Sequence, residues 1–206
     1  INGSGMHINM SLYHNGRNIF ADDCDPNGLS QEAYYFIGGL MRHVKGMCAI
    51  TNPLVNSYKR LVPGFEAPVY IAWSTQNRTP LIRIPMTKGE GQRIELRSPD
   101  PSSNPYLVLA VCLAAGLDGI RNQIEPPESV DGNLYELSEQ EKNDIGLERL
   151  PENLNEAVRE LEKSEFICNV LGDHIVKNYC KAKKAEWEEY TNQVTQWELD
   201  QYLYRI

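Results

Sequence analysis

Two short segments alternate apolar side chains with side chains that can do chemistry. Between Met6 and Leu12, the residues Met6, Ile8, Met10 and Leu12 share one parity, and His7, Asn9 and Ser11 share the other. Between Arg93 and Arg97, the residues Arg93, Glu95 and Arg97 oppose Ile94 and Leu96. Successive side chains of a strand point to opposite faces, so each segment predicts a strand with one dry face and one wet face. On a surface sheet a wet face is simply solvated. Here, however, Arg78 and Arg83 lie in a neighbouring strand-like region and Arg60 lies upstream, so five arginines fall between positions 60 and 97. In a chain of net charge -8 this clustering runs against the overall balance and predicts an anion cradle. Guanidinium groups grip carboxylate and phosphate oxygens through paired hydrogen bonds and stay charged in a dry site. Glu95 admits two readings: the ion-pair partner of its flanking arginines or, with His7, a ligand of a divalent metal. An oxygen-rich site committed to phosphate favours Mg²⁺ or Mn²⁺ over zinc. The opening Asn2-Gly3-Ser4-Gly5 lets backbone approach a ligand closely, and it gains weight from His7 two residues later.

Recognisable elements position these groups. Asn15-Gly16 marks a hairpin turn after the first strand, with a return through Asn18 to Phe20. Ser30, followed by Gln31 and Glu32, caps a helix whose apolar positions run through Tyr34, Ile37, Met41, Val44 and Met47 and stop before Asn52-Pro53. Residues 61–68 read as loop, and strands are expected over 69–75, 81–85 and 93–98, in one sheet with the first. Asn104-Pro105 starts a helix that is apolar nearly all round to Leu117, the pattern of a buried core helix. After Pro126-Pro127 the chain turns acidic and helical, with Asn153 and Ser164 as caps and one long helix from Ile175. Trp187, Tyr190, Val194 and Trp197 form an aromatic seam along that helix, expected to dock on its own domain rather than on a partner. The fold class is α+β: a curved, mainly antiparallel sheet backed by the Ser30 and Asn104 helices, with a helical tail.

Composition narrows the function classes. The acidic balance argues against a nucleic-acid binder that tracks the phosphate backbone. The five cysteines are odd in number, scattered and never spaced Cys-x-x-Cys, which argues against a disulfide framework or zinc knuckle and fits a reducing, cytoplasmic setting. The most apolar stretch, Tyr106 to Leu117, is too short to span a bilayer. The chain opens on Ile1 without initiator Met or leader and reads as part of a longer polypeptide.

Five ordered segments carry a resemblance. Asn2-Gly3-Ser4-Gly5-Met6-His7, the stretch from Asn56 through Arg60 to Pro68, Asn77-Arg78, Arg93-Ile94-Glu95-Leu96-Arg97, and Asp100 through Asn104-Pro105-Tyr106 resemble the successive signatures of type I glutamine synthetase. The likeness runs the length of the chain, and Leu171-Gly172-Asp173-His174 with the tail resembles the alpha subgroup of Gram-positive bacteria. It implies an incomplete catalytic domain, with sheet and core helices over 1–125, a helical region over 126–206, and the N-terminal β-grasp domain absent. It implies an ATP-dependent glutamate–ammonia ligase working through γ-glutamyl phosphate, inactive as this fragment alone. The implied roles are His7 and Glu95 on Mg²⁺ or Mn²⁺; Asn9, Ser11, Arg78, Arg83 and Arg93 on ATP; Asn2, Gly3, Arg60, Glu66 and Arg97 on glutamate. Glu66 and Arg78 are implied as catalytic, Glu66 on a flap that receives ammonium. Further implications are assembly into a dodecamer and a nitrogen-regulator protein as partner of the C-terminal helices. A related ligase that uses a different amine, such as a polyamine, is the rival reading. Tyr135 lies in a segment resembling a loop modified in another subgroup, but Ser138 departs from that pattern, so an unmodified surface tyrosine is expected.

Overall fold

The computed structural model describes residues 3–205 apart from 66, 78 and 133, with backbone alone at 139. A four-stranded sheet in the order β1-β6-β5-β4 is built from β1 (Ile8–Met10), β4 (Trp73–Ser74), β5 (Ile82–Arg83) and β6 (Ile94–Leu96). β1 and β5 flank β6 antiparallel, whereas β4 runs parallel to β5, so the sheet is mixed. Its strands are shorter than the alternation suggested. A separate hairpin pairs β2 (Tyr13–His14) with β3 (Arg17–Asn18), and its turn places Asn15 and Gly16 at φ 50° and 77°. Two adjacent positive φ values are what a tight two-residue hairpin requires and what Asn-Gly tolerates.

Register explains how so small a sheet organises a site. Asn9 lies opposite Glu95, and Glu95 opposite Arg83, so these three form one transverse row. The next row, Ile8, Leu96 and Ile82, points the other way and is buried. Period-two alternation therefore gives the sheet one chemical and one core face.

Helices back the core face. α1 (Gln31–Thr51) starts where the Ser30 hydroxyl accepts the Ala33 N–H, and α2 (Pro105–Asn122) starts where Asn104 accepts from Tyr106 and Leu107. The two helices meet backbone to backbone. A β-carbon on Gly39 would lie 2.2 Å from the Ala115 carbonyl oxygen, and one on Gly119 would lie 2.0 Å from that of Tyr35. Only glycine admits this approach. α2 is not enclosed as its composition suggested: Tyr106 is 85% exposed, and Leu109 and Leu113 also face outward. Its other face, through Val108, Val111, Cys112 and Ala115, packs into the core beside α1.

α3 (Glu139–Asp144), α4 (Leu154–Lys163), α5 (Glu165–Leu171), α6 (Asp173–Thr191) and α7 (Gln196–Tyr202) complete the chain. Asn153 and Ser164 cap α4 and α5 as expected. The long terminal helix is in fact two. Thr195 caps α7 in a reciprocal pair with Glu198, which ends the run at Thr191 and divides the aromatic seam. Trp187 packs against the core, but Val194 and Trp197 are 69% and 62% exposed, so the lower seam does not dock on its own domain. A smaller apolar cluster of Val69, Tyr70, Ala72 and Leu134 lies apart from the main core. All five cysteines are free, and no helix among the described residues is long and apolar enough to cross a membrane.

Candidate active site

Glu95 is the hub. It is buried on β6, and its Oε2 accepts from Arg83 Nη2 at 2.6 Å. Its Oε1 lies 3.3 Å from Arg97 Nε and 3.2 Å from His7 Nδ1. The pairing register explains the convergence. His7 stands two residues before Asn9 and Arg97 two residues after Glu95, so alternation returns both to the chemical face on either side of the same row.

The electrostatics are one-sided. Burial pushes the Glu95 carboxyl up, but the hydrogen bond and charge of Arg83, followed by His7 and Arg97, outweigh it and hold the group below the ordinary carboxylate range. Burial lowers His7, with Arg97 acting in the same direction and Glu95 opposing. At neutral pH the pair is therefore a carboxylate beside a neutral imidazole. Both groups favour the deprotonated form on folding, so both stabilise the fold more as pH rises through their ordinary ranges. Stability should fall as acid protonates the unfolded imidazole, and again as pH drops from the usual carboxylate range through the depressed value of Glu95. Glu95→Gln is expected to flatten the second slope, measured by urea unfolding across a pH series; an unchanged slope would assign the acid sensitivity elsewhere.

The other anticipated residues arrange themselves around this hub in distinct ways. Arg93 is partly exposed and donates from Nε to Asn9 Oδ1 at 3.1 Å and from Nη1 to the Gly91 carbonyl. Ser11 lies just beyond β1 and is partly exposed. Arg60 is buried, and its guanidinium donates to the carbonyls of Ser98 at 2.8 Å and Arg97 at 2.9 Å. Burial lowers its pKa, and the charge of Asp100 opposes that shift. Gly3, Ser4, Asn56, Ser57, Arg60 and Asp100 line a cleft of about 240 Å³. Asn2, Glu66 and Arg78 lie outside the described residues. A separate cavity of about 720 Å³ beside Ile71, Val130, Leu137 and Leu147 shares no residue with this cleft or with the Glu95 hub.

Among the described residues no group of three or more His, Cys, Asp or Glu side chains is placed to hold a metal ion. His7 and Glu95 still fit as one corner of such a site, because adjacent ligands on a six-coordinate ion with bonds of about 2.1 Å sit about 3 Å apart. Their separation of 3.2 Å matches that requirement, and the downward shift of both groups favours the deprotonated forms that bind a metal.

Two contacts escaped the sequence reading. The grip of the 97–99 carbonyls on Arg60 has no sequence signal, because backbone acceptors are not encoded by side-chain type. Tyr135 is not a surface tyrosine: it is partly buried, and its hydroxyl donates to the Ala67 carbonyl at 2.9 Å. The fully buried Leu134 beside it is the residue that could have indicated this.

The whole arrangement matches a known domain. Residues 1–202 fit the family described as glutamine synthetase, catalytic domain. The chain belongs to that family. It is 58% identical over 203 residues to a glutamine synthetase of Clostridium saccharobutylicum, covering 98% of this chain and 46% of the relative. It is 52% identical over 204 residues to a glutamine synthetase of Thermotoga maritima, covering 99% and 46%. A solved GmaS–ADP complex superposes with a TM-score of 0.86 at 42% identity, covering 98% of this chain and 46% of that one. The chain thus spans slightly under half the length of the relatives it matches. Their likeness agrees with the α+β fold and with a sheet that carries glutamine synthetase signatures on its chemical face.

Proposed function

We propose that this chain carries the C-terminal share of the active site of an ATP-dependent glutamate–ammonia ligase. The observation that supports this best is the Glu95 carboxylate held by Arg83 and Arg97 beside His7, within a chain of the glutamine synthetase family. Arg60, Arg97 and the backbone of Gly3, with Asn2, hold glutamate. Arg83 and Arg93, with Asn9, Ser11 and Arg78, hold ATP. His7 and Glu95 hold one side of Mg²⁺ or Mn²⁺, with further ligands supplied from outside this chain. Bound there, the ion supplies positive charge against the phosphate oxygens.

The reaction asks little covalent chemistry of the protein. The side-chain carboxylate of glutamate attacks the γ-phosphorus of ATP; a P–O bond to glutamate forms, the bond to ADP breaks, and γ-glutamyl phosphate results. Arginines aimed at the transferring group counter charge that shifts between its oxygens, so positioning and electrostatics carry most of the acceleration. Glu66 takes a proton from ammonium. Ammonia then forms the C–N bond at the acyl carbon, the C–O bond to phosphate breaks, and phosphate leaves as the nitrogen gives up one more proton to reach the amide. The wet rim of the cleft requires closure against water, which otherwise hydrolyses the acyl phosphate.

The half-length span leads to a direct test. The full-length polypeptide containing this sequence is expected to form glutamine from glutamate, ammonium and ATP, whereas this chain alone forms none. Glutamine formation by the chain alone, or turnover of another amine in preference to ammonium, would contradict the assignment. The reading extends to a homo-oligomer, for which Val194, Trp197 and Tyr202 offer exposed apolar contacts. Deleting residues 192–206 is expected to reduce the mass seen by light scattering; an unchanged mass would place the contacts elsewhere.

A further inference from the structure

Arg60 lies in a trough made by two missing side chains. Gly3, Gly5 and His7 occupy alternate positions leading into β1. A β-carbon on Gly3 would meet the Arg60 stem, at 3.1 Å from Cβ and 3.4 Å from Cγ and Cδ. A β-carbon on Gly5 would meet the guanidinium itself, at 2.7 Å from Nη2 and 3.2 Å from Cζ, and would also lie 3.1 Å from His7 Nε2. One absent methyl group thus leaves a space bordered by two side chains from distant segments. The Arg60 tip has no slack, because Nη1 donates to Ser98 and Nη2 to Arg97 through the hydrogen bonds described above. The other nitrogen of the His7 ring faces Glu95.

We propose that Gly5 is a positioning residue for the ligase reaction: the space left by its missing side chain sets the Arg60 guanidinium against the His7 ring. Whatever Arg60 and His7 each bind is then held at one fixed separation. The inference rests on the proposed function for its kinetic consequences but not for its geometry. Gly5 is not in the left-handed region, so alanine there meets no backbone penalty, and the strain falls on the guanidinium and imidazole tips. A misplacement of about 1 Å between groups that must align costs about 100-fold in rate.

The test has two arms. In the 206-residue chain, Gly5→Ala is expected to shift the His7 ring resonances and the Arg60 Nε–H resonance and speed exchange of the latter. Unchanged resonances overturn the inference whether or not the polypeptide is a ligase. In the full-length polypeptide, Gly5→Ala is expected to lower kcat/KM for glutamate about 100-fold. The same substitution in an Arg60→Lys background, where the narrower ammonium clears the added methyl, should cost little more than Arg60→Lys alone. Equal losses in both backgrounds, or a wild-type kcat/KM for glutamate, each contradict the positioning role. A wild-type polypeptide that forms no glutamine contradicts the proposed function instead, and the resonance arm then decides Gly5 alone.

Discussion

Glu95→Ala in the full-length polypeptide is expected to weaken Mn²⁺ binding by about 100-fold or more, a loss at least as large as those seen when groups merely supporting a ligand are removed. The same substitution takes away the acceptor that Arg83 Nη2 and Arg97 Nε approach. Losing one partner of a buried ion pair costs about 3–5 kcal/mol. The Arg83 side chain is 31% exposed and recovers some hydration, whereas that of Arg97 is only 5% exposed, so the loss should fall toward the lower end. Manganese titration by electron paramagnetic resonance and urea unfolding measure the two effects separately. Glu189→Ala, at an exposed site on α6, should change neither. Destabilisation with unchanged Mn²⁺ affinity would make Glu95 an ion-pair partner only.

The second large effect lies away from the chemistry. Gly119→Val places side-chain atoms where the Tyr35 carbonyl oxygen, the Gly39 nitrogen and the Gly39 α-carbon already stand, at 2.0, 2.7 and 2.8 Å from the β-carbon. These are backbone atoms of α1 and cannot rotate away. The two helices must separate along their closest approach, so the expected cost is about 3 kcal/mol or more, at or above the usual upper range for overpacking. Gly132→Val, at a position with nothing within 4 Å, is the matched control. A midpoint of urea unfolding for Gly119→Val equal to that control would show that α1 and α2 approach less closely.

Much of the site was legible because it depends on parity. Alternation in two segments placed His7, Asn9 and Ser11 on one face and Arg93, Glu95 and Arg97 on another, and antiparallel pairing of β1 with β6 joins those faces. Helix starts at Ser30, Asn104, Asn153 and Ser164 were equally readable, because capping is local chemistry. What stayed hidden depended on distant partners. The outward face of α2 has the same composition as its inner face, so sequence could not say which side α1 would cover. The division of α6 from α7 did leave a signal, Thr195 followed three residues later by Glu198, as Ser138 and Glu141 did for α3, but the aromatic spacing suggested continuity. Strand ends were overestimated because β4 and β5 have paired partners for only two residues each. The role of Gly5 was out of reach, since the arginine that fills its space comes from a turn 55 positions away.

The proposed function requires this face to align a glutamate carboxylate with the γ-phosphate of ATP. It is tested most directly by giving the full-length polypeptide glutamate labelled with ¹⁸O in its side-chain carboxylate, together with ATP, ammonium and Mg²⁺, and analysing the released phosphate by mass spectrometry. One ¹⁸O atom is expected per phosphate formed with each glutamine, and neither product with Glu95→Ala. Unlabelled phosphate accompanying glutamine would contradict carboxylate attack on ATP, and full activity in Glu95→Ala would contradict the assigned site.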